Sequence, residues 1–463
     1  MNSEKILLIS YHFPPGGGVH VHRAVSLAKY LPQNGFEVHV LTPRNPAVPH
    51  LDPSMLAEIP ADCRIHHEWT LEPPFRLRKK LWARLTASGG AERGVEAKSP
   101  FGLVRSTAAR GLMRLLSPDP QVLWRPFAFR GAARLIEREN IGTVWVTAPP
   151  FSTFSVGNAL KSRYPHVRLI SDFRDEWLQY YVNQFSFKGN DYIKAQASEI
   201  ERRTVELSDL VVTVTPATHE VMRSRYPDEP DSKFGMIPNG YDGSAFEFSR
   251  PSPHGTGKIV VSHVGTLYGT TSPQAYLDAM DRLPSEVQSR FETRFIGRVA
   301  EEFDSKMLEN RKSSIKVTGF IPHDQALRQM AESDYLLLSC RDRLTVPGKL
   351  YEYLAAKKPI IGLVLPQSDA CKILSKSGTA WIADQADVDG IAKILLDAAD
   401  LGSGDPISAG LQPNHDFIRR FERSALAADY AELIRAPGVR SRTDAASRIQ
   451  GLRQDCEESV TGI

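Results

Sequence analysis

The sequence predicts an α/β protein built from two doubly wound domains with parallel sheets. Short apolar, β-branched runs alternate with longer segments of helical periodicity, which is the pattern of repeated βαβ units. This alternation stops at a Pro/Gly/Ser-rich segment, residues 249–257, and then starts again. The chain has 463 residues, enough for two to three domains.

The first domain is predicted to open with a buried strand. Residues 5–10 are nearly continuously apolar, as expected of a strand that is covered on both faces. A loop rich in glycine and proline follows, and apolar residues then recur at helical spacing over residues 19–31. Further strands are predicted at 36–41, 143–147, 167–171 and 210–214, and further helices at 152–163 and 195–207.

The second domain repeats this rhythm without repeating the sequence, so the similarity between the halves is architectural. Its strands are predicted at 258–264, 294–296, 315–317, 335–338, 359–363 and 380–382, and its helices at 272–283, 324–331, 348–356 and 388–396. We expect domain bounds of 1–248 and 258–412, a closing helix at 413–435 that crosses back to the first domain, and a flexible tail at 436–463.

The composition excludes several classes of protein. With 41% hydrophobic and 24% charged residues, the chain is neither disordered nor fibrous as a whole. A net charge of +3 argues against a general polyanion binder, so we expect no nucleic acid partner. No apolar run has the length of a membrane span, and the N-terminal run is too short for a signal peptide, so a cytoplasmic location is expected. The four cysteines, which form no CxxC pair and are expected to be free thiols, are Cys63, Cys340, Cys371 and Cys456.

Residues 75–114 interrupt the α/β pattern with a basic insertion. They carry ten basic and two acidic residues, a local balance of +8, with Phe75, Leu77, Leu81 and Trp82 interleaved. Such a basic, amphipathic segment favours an anionic membrane surface or another polyanionic partner. A solvated excursion from the domain is the alternative interpretation.

The loop after the first predicted strand contains Gly16, Gly17 and Gly18. Backbone N–H groups without side chains, placed before a helix, can bind an anion, so the loop is interpreted as facing a phosphate or a sugar. The dinucleotide fingerprint is incomplete because Val21 occupies the third glycine position and no acidic residue ends the second strand. NAD and FAD are therefore disfavoured, and a plain tight turn is the alternative.

Three histidines surround this loop, namely His12, His20 and His22. His20 and His22 are two residues apart on a predicted helix, so their side chains point in different directions and cannot bind one ion. We expect no metal site here, and we expect His20 to line the acceptor side of a cleft.

The clearest chemical signal of the second domain is the segment Pro347-Gly348-Lys349. Lys349 begins a predicted helix, where its ammonium would join free helix N–H groups and the positive end of the helix dipole. This arrangement suits a diphosphate. Glu352 lies on the same face one turn later and could accept two hydrogen bonds from a ribose diol. The alternative is an ordinary amphipathic helix with a Lys–Glu surface pair.

Charged residues also follow the strand predicted at 167–171. Asp172, Arg174 and Asp175 stand at the carboxyl end of a parallel strand, where ligand sites of α/β proteins form. We expect Asp172 and Arg174 on the acceptor side and Asp175 as a candidate general base, with structural ion pairs as the alternative. The Asp-x-Asp at residues 387–389 opens a helix and is interpreted as a cap rather than a metal site.

Taken in order, the motifs of the chain resemble family 4 bacterial glycosyltransferases of the GT-B fold. The resemblance spans about residues 5–435 and is carried by Ser-Tyr-His-Phe-Pro-Pro-Gly-Gly-Gly (10–18), Val-Thr-Ala-Pro-Pro-Phe-Ser-Thr (146–153), Asp-Phe-Arg-Asp-Glu-Trp (172–177), Ile-Pro-Asn-Gly-Tyr-Asp (237–242), His-Val-Gly-Thr-Leu-Tyr (263–268), Val-Thr-Gly-Phe-Ile-Pro-His (317–323) and Pro-Gly-Lys-Leu-Tyr-Glu-Tyr-Leu (347–354). It implies two Rossmann-like domains facing across a cleft, with the acceptor on the first and a sugar nucleotide on the second.

The resemblance also implies roles for individual residues. Glu352 would hold the ribose, Lys349 the diphosphate, and Gly16 to Gly18 would approach the diphosphate or the sugar. Gly265, Thr266 and Gly348 would line the donor site, and no metal or other cofactor is implied.

Two departures change this assignment. Many members carry a glutamate eight positions before Glu352, where Leu344 stands here, so Asp342 or Thr345 would have to substitute. Members also place an Arg and a Lys after the first strand of the second domain. Both are missing here, so Lys349 and Arg298 would carry the phosphate charge.

The function implied is transfer of a sugar from a nucleoside diphosphate sugar to a hydroxyl of a glycan or lipid-linked acceptor, with retention and without a metal. Lys349 and the nearby backbone amides would stabilise the leaving diphosphate. Synthesis of a cell-surface polysaccharide or glycolipid at the inner face of a membrane is the expected setting. A nucleotide-sugar epimerase of the same fold and a non-catalytic nucleotide-sugar-binding protein are the alternatives.

Overall fold

The strands form two parallel sheets, each within one of two units of the chain. This computed structural model describes residues 3–75, 77, 111, 114–179, 191–247, 257–300, 308, 314–402 and 410–436. Within these ranges, residues up to 214, 218–237 and 430–436 belong to the first unit, and residues 215–217 and 238–429 to the second. The predicted α/β architecture with two doubly wound parallel sheets is confirmed, and the domain bounds drawn from the sequence stay predictions.

In the first unit the strands are β1 (Glu4–Ser10), β2 (Phe36–Pro43), β3 (Arg64–Glu68), β4 (Thr143–Ala148), β5 (Arg168–Phe173), β6 (Leu210–Thr213) and β7 (Phe234–Met236). They pair in parallel in the order β3-β2-β1-β4-β5-β6-β7. The central strand β1 is buried on both faces, as its apolar sequence predicts. The helices that connect these strands are α1 (His22–Tyr30), α2 (Arg125–Glu139), α3 (Phe154–Arg163), α4 (Asp191–Leu207) and α5 (Pro216–Arg225).

In the second unit the strands are β8 (Ile259–Val264), β9 (Phe291–Ile296), β10 (Ser314–Gly319), β11 (Tyr335–Cys340), β12 (Ile360–Val364) and β13 (Ala380–Ala383). They pair in parallel in the order β10-β9-β8-β11-β12-β13. The helices of this unit are α6 (Ser244–Glu247), α7 (Gln274–Arg282), α8 (Ser285–Ser289), α9 (His323–Glu332), α10 (Gly348–Ala355), α11 (Asp369–Ser377) and α12 (Val388–Leu401). Asp387 caps α12 by accepting a hydrogen bond from the Gly390 amide at 2.8 Å, which confirms its interpretation as a cap.

The closing helix is divided in two, α13 (His415–Arg419) and α14 (Arg423–Arg435), where the sequence predicts one helix. The break occurs because the backbone between them pairs with Tyr241, whose amide donates to the Phe421 carbonyl at 3.0 Å and whose carbonyl accepts from the Arg423 amide at 2.8 Å. A Cβ on Gly240 would lie 2.2 Å from the Phe421 carbonyl oxygen, so this close approach requires glycine.

The structure covers only part of the chain on which the expectations about cysteines, membrane spans, the basic insertion and the tail depend. Cys63, Cys340 and Cys371 are free thiols, as predicted, and Cys456 lies outside the described residues. Within the described ranges, no helix combines the length and the apolar character that a membrane crossing requires. Most of the basic insertion at 75–114 and nearly all of the tail at 436–463 also lie outside the described residues.

Candidate functional site

In the second unit, Lys349 lies at the carboxyl ends of the strands and contacts a buried histidine. It is the second residue of α10, and the helix begins there because Pro347 holds an extended backbone, with no side chain capping the helix. The Lys349 Nζ is 2.7 Å from Nε2 of His263, near the end of β8. The predicted placement of Lys349 in the first turn of a helix is confirmed, whereas its histidine partner was missed.

The hydrogen bonds of His263 fix the state of its ring. Its Nδ1 lies 3.1 Å from the carbonyl oxygen of Leu337 on β11, so Nδ1 carries the proton and donates. Nε2 therefore keeps its lone pair and accepts from the Lys349 amine. Burial of His263, which is 0% exposed, together with the adjacent Lys349, lowers its pKa well below the usual value, so the ring is neutral.

The same environment acts on the amine. Burial lowers the pKa of Lys349 to about 7, so at neutral pH the protein contains both its charged and its neutral form. Nearby Cys340 does not offset this with a negative charge, because burial raises the pKa of its thiol to about 11. An anion placed beside Lys349 would restore the ammonium.

Glycine is required at two positions near Lys349, one beside its side chain and one beside the backbone of the first. A Cβ on Gly265, which has φ 131°, would lie 3.2 Å from the Lys349 Nζ. A Cβ on Gly297, with φ 141°, would lie 2.3 Å from the Gly265 carbonyl oxygen. Both positions therefore need glycine, for the positive φ and for the close packing of the segments after β8 and β9.

Two further predicted donor residues of this unit, Thr266 and Arg298, lie in the segments after β8 and β9. Thr266 follows Gly265, and its carbonyl accepts from the Thr271 hydroxyl at 2.9 Å. Arg298 follows Gly297, and its carbonyl accepts from the Leu267 amide at 2.8 Å. The structure thus brings Gly265 and Lys349 into contact and places Thr266 and Arg298 on paired segments beside them.

Glu352 and Asp342 have different environments. Glu352 is half-buried one turn after Lys349, and its Oε1 lies 3.9 Å from Nε2 of His323. Asp342 uses its Oδ1 to accept from the backbone amides of Leu344 at 2.7 Å and Thr345 at 2.9 Å. This oxygen therefore shapes the loop before α10.

In the first unit, the glycine loop differs from the expectation of free amides. The Gly16 amide donates to the Phe13 carbonyl and the Gly17 amide to the His50 carbonyl, each at 3.0 Å. The first bond closes a local turn, and the second forms because residues 50–52 return alongside the loop. Gly18, with φ 99°, has open space where a Cβ would be. Two of the three amides predicted to bind an anion are therefore engaged by the protein itself.

Asp172 forms a buried ion pair with a residue that the sequence analysis missed. Its carboxylate accepts from Arg23 on α1 through Nε at 2.9 Å and through a terminal nitrogen at 2.8 Å. The Thr147 hydroxyl donates to the same carboxylate at 2.8 Å. Asp172 is 0% and Arg23 6% exposed, so this pair matches the structural alternative rather than a contact with an acceptor.

Arg174 holds backbone carbonyl groups together. Its guanidinium donates to the carbonyl of Ala148 at 3.1 Å, and to the carbonyls of Pro149 and His20. His20 is exposed, and its ring stacks on that of His12 at 5.2 Å. Asp175 is half-buried directly after Arg174. The structure thus brings His20 and Arg174 together through the backbone of His20, which leaves its ring at the surface.

Comparison with known proteins identifies the family of this chain. A family model described as "Glycosyl transferase 4-like domain" matches residues 17–240, and one described as "Glycosyl transferases group 1" matches residues 258–400. A search of curated proteins finds no match.

Similar solved structures cover nearly the whole chain at low identity. Sucrose-phosphate synthase from Thermosynechococcus elongatus is 12% identical over 93% of this chain and 98% of its own, with a TM-score of 0.63. WaaG, a glycosyltransferase involved in lipopolysaccharide biosynthesis, is 13% identical over 93% and 100%, with a TM-score of 0.59. HepE from Anabaena, in complex with UDP and glucose, is 13% identical over 93% and 99%, with a TM-score of 0.58. These likenesses show the GT-B fold.

Proposed function

Because the chain belongs to the group 1 glycosyltransferases, enzymes of the hexosyltransferase type, we propose that it transfers a sugar from a nucleoside diphosphate sugar to an acceptor hydroxyl. The observation that carries this proposal is the Lys349 amine, held at the first turn of α10 against Gly265. A cation beside free helix N–H groups at the ends of parallel strands suits a diphosphate. HepE was solved with UDP and with UDP-glucose, which makes a uridine nucleotide the first donor to test.

The chemistry proposed is metal-independent transfer with retention of configuration. Negative charge grows on the diphosphate as the glycosidic bond breaks, and Lys349 with the amides of the α10 N-terminus, including that of Gly348, stabilises it. Arg298 adds positive charge from the segment after β9, and Gly265 and Thr266 line the donor. Glu352 accepts hydrogen bonds from the ribose diol.

On the first unit we propose that His20 and the Gly16–Gly18 loop face the reacting sugar and the acceptor. Asp175 is the proposed general base. Asp172 and Arg174 act by supporting this region, since their charged groups are engaged inside the protein. The acceptor proposed is a glycan or a lipid-linked sugar in cell-surface polysaccharide or glycolipid synthesis, a setting supported by the similarity to WaaG, which is involved in lipopolysaccharide biosynthesis.

The basic insertion at 75–114 is proposed to bind an anionic membrane on its cytoplasmic face. Its excess of basic residues, with aromatic and aliphatic side chains between them, supports this role. The test is sedimentation with vesicles that contain phosphatidylglycerol, comparing wild type with the triple charge reversal of Arg78, Lys79 and Lys80 to Glu. Loss of binding supports the proposal, and unchanged binding contradicts it.

The function itself is tested by a donor panel. Melting temperatures are measured with UDP-, GDP-, ADP- and dTDP-sugars for wild type and for Glu352→Ala, because a ligand of the native state raises the melting temperature. A shift with one nucleotide class that is lost in the variant supports the donor site. Release of the nucleoside diphosphate that depends on an added acceptor then identifies a transferase. An epimerase would convert the donor without an acceptor, and a binding protein would leave it unchanged.

A further inference from the structure

The pair of His263 and Lys349 is an unusual way to hold a cation, since both side chains are bases. We propose that His263 is a positioning residue that holds the Lys349 amine against Gly265, so that binding of the nucleoside diphosphate is coupled to uptake of a proton by this pair. This inference rests on the proposed function, because it takes the diphosphate as the ligand of Lys349.

The geometry fixes the amine in place before any ligand binds. His263 has no exposed surface, and its ring cannot turn without losing the hydrogen bond from Nδ1 to the Leu337 carbonyl. Nε2 therefore points at the Lys349 Nζ from a fixed position, 2.7 Å away. A lysine side chain normally loses rotamer entropy when a ligand orders it, so an amine that is already ordered binds a ligand more tightly.

The charges around the pair leave the amine without a counter-ion. Among the residues that the structure describes, no carboxylate forms an ion pair with Lys349. Cys340, at the end of β11, keeps its thiol protonated because burial raises its pKa. Asp342 directs an oxygen to two loop amides, and Glu352 lies beside His323. The Lys349 amine therefore loses its proton more readily when no anion is present and regains it when an anion binds.

The direction of the pH dependence follows from this. Burial lowers the pKa of Lys349 in the free protein to about 7, and a bound diphosphate raises it. Between these two values the complex binds one more proton than the free protein, so affinity falls as pH rises above 7. Uptake of one proton can raise Kd by at most about tenfold for each unit of pH.

The test is calorimetric titration with UDP, GDP, ADP and dTDP, each in two buffers with different ionisation enthalpies. The difference in apparent binding enthalpy between the buffers gives the number of protons taken up. For the nucleotide that binds, we expect uptake close to zero at pH 6 and close to one proton at pH 8. Lys349→Met is expected to abolish this uptake.

Variants of His263 separate positioning from simple packing. His263→Leu removes the acceptor and surrounds the amine with more apolar surface, so we expect affinity to fall by about tenfold and the pKa of Lys349 in the free protein to fall further, which extends proton uptake down to pH 6. His263→Gln returns an acceptor oxygen and is expected to recover part of both. A purely structural role would change the melting temperature of these variants and leave proton uptake unchanged.

Each outcome decides one of the two proposals. Binding by wild type with no proton uptake at pH 8 overturns the inference and leaves the proposed function standing. Uptake that is unchanged in both His263 variants overturns the role of His263. Failure of wild type to bind any of the four nucleotides overturns the proposed donor class, and the inference with it. The wild-type measurement needs no variant, so a His263 substitution that does not fold does not block the decision.

Discussion

Two buried polar pairs lie near the carboxyl ends of parallel strands, one in each unit, and they differ in charge. In the first unit, Asp172 and Arg23 carry opposite charges and are joined by two hydrogen bonds. In the second, His263 and Lys349 are two bases that share one hydrogen bond. A pair with balanced charges needs nothing further, whereas a pair with an unmatched cation has a favourable interaction left to make with an anion. The comparison separates a structural pair from a candidate binding site.

The largest effect is expected from breaking the balanced pair. Asp172→Asn leaves the Arg23 guanidinium buried without its carboxylate, which costs about 3–5 kcal/mol of unfolding free energy. Asp175→Asn, three residues away and half-buried, is the matched control and should cost much less. Urea unfolding followed by tryptophan fluorescence measures both. A loss below about 1 kcal/mol for Asp172→Asn, at the level of a surface ion pair, would contradict the structural role.

Removing the Lys349 amine should have the opposite effect, a loss of activity without a loss of stability. Lys349→Met is expected to lower kcat by about 10²–10³-fold, the cost of losing one stabilising group for a developing anion. Its unfolding free energy should not fall, because the amine that is removed is half-buried and has no carboxylate partner among the residues that the structure describes. Lys393→Met on α12, an exposed lysine, is the control for loss of charge and should leave both quantities unchanged. Initial rates with a saturating donor provide the check, and a normal kcat for Lys349→Met would refute the assignment.

A smaller effect, on nucleotide affinity, is expected when a side chain is added beside the Lys349 amine. Gly265→Ala and Gly18→Ala both place a side chain at positive φ, so each should cost about 1–3 kcal/mol of stability. Only the Cβ at position 265 would crowd the Lys349 Nζ, whereas the one at position 18 meets open space. Nucleotide affinity should therefore fall several-fold more in Gly265→Ala. Equal affinities in the two variants would show that Gly265 serves the backbone alone.

The smallest effect is a pH slope in stability. The pKa of Lys349 is about 7 in the folded protein and near 10.5 when unfolded, so between these values the unfolded chain binds more protons. The contribution of Lys349 to stability therefore rises with pH across that window, by at most about 1.4 kcal/mol per pH unit. Denaturation midpoints of wild type and Lys349→Met at pH 7 and pH 9 measure it. Parallel curves would mean that the amine titrates normally.

Much of the fold was predictable because buried parallel strands leave long apolar runs in the sequence. β1 and β8 lie within about a residue of their predicted bounds. β3 was missed because it is a polar, partly exposed strand at the edge of the sheet, and β7 because it has three residues, one of them glycine. α2 was missed too, although its residues are well placed on one apolar face. Local periodicity therefore predicts central strands better than edge strands.

The candidate sites were predictable only where one local segment carries the signal. The start of α10 marks Lys349 by itself. The partner His263 is 86 positions away, and Arg23 is 149 positions from Asp172, so folding alone brings them together. Likewise, nothing in the glycine loop indicates that His50 returns to accept from the Gly17 amide. Contacts between segments that are distant in sequence thus determine which of the predicted groups are engaged inside the protein and which can bind a ligand.

The most direct test of the central claim is calorimetric titration of wild type and Lys349→Met with UDP at pH 7, with Lys393→Met as the control. If the unmatched amine is the diphosphate site, wild type and the control bind UDP and Lys349→Met binds at least about tenfold more weakly, the loss of one charge-assisted contact. Equal affinity in all three proteins would contradict the claim that Lys349 holds the diphosphate.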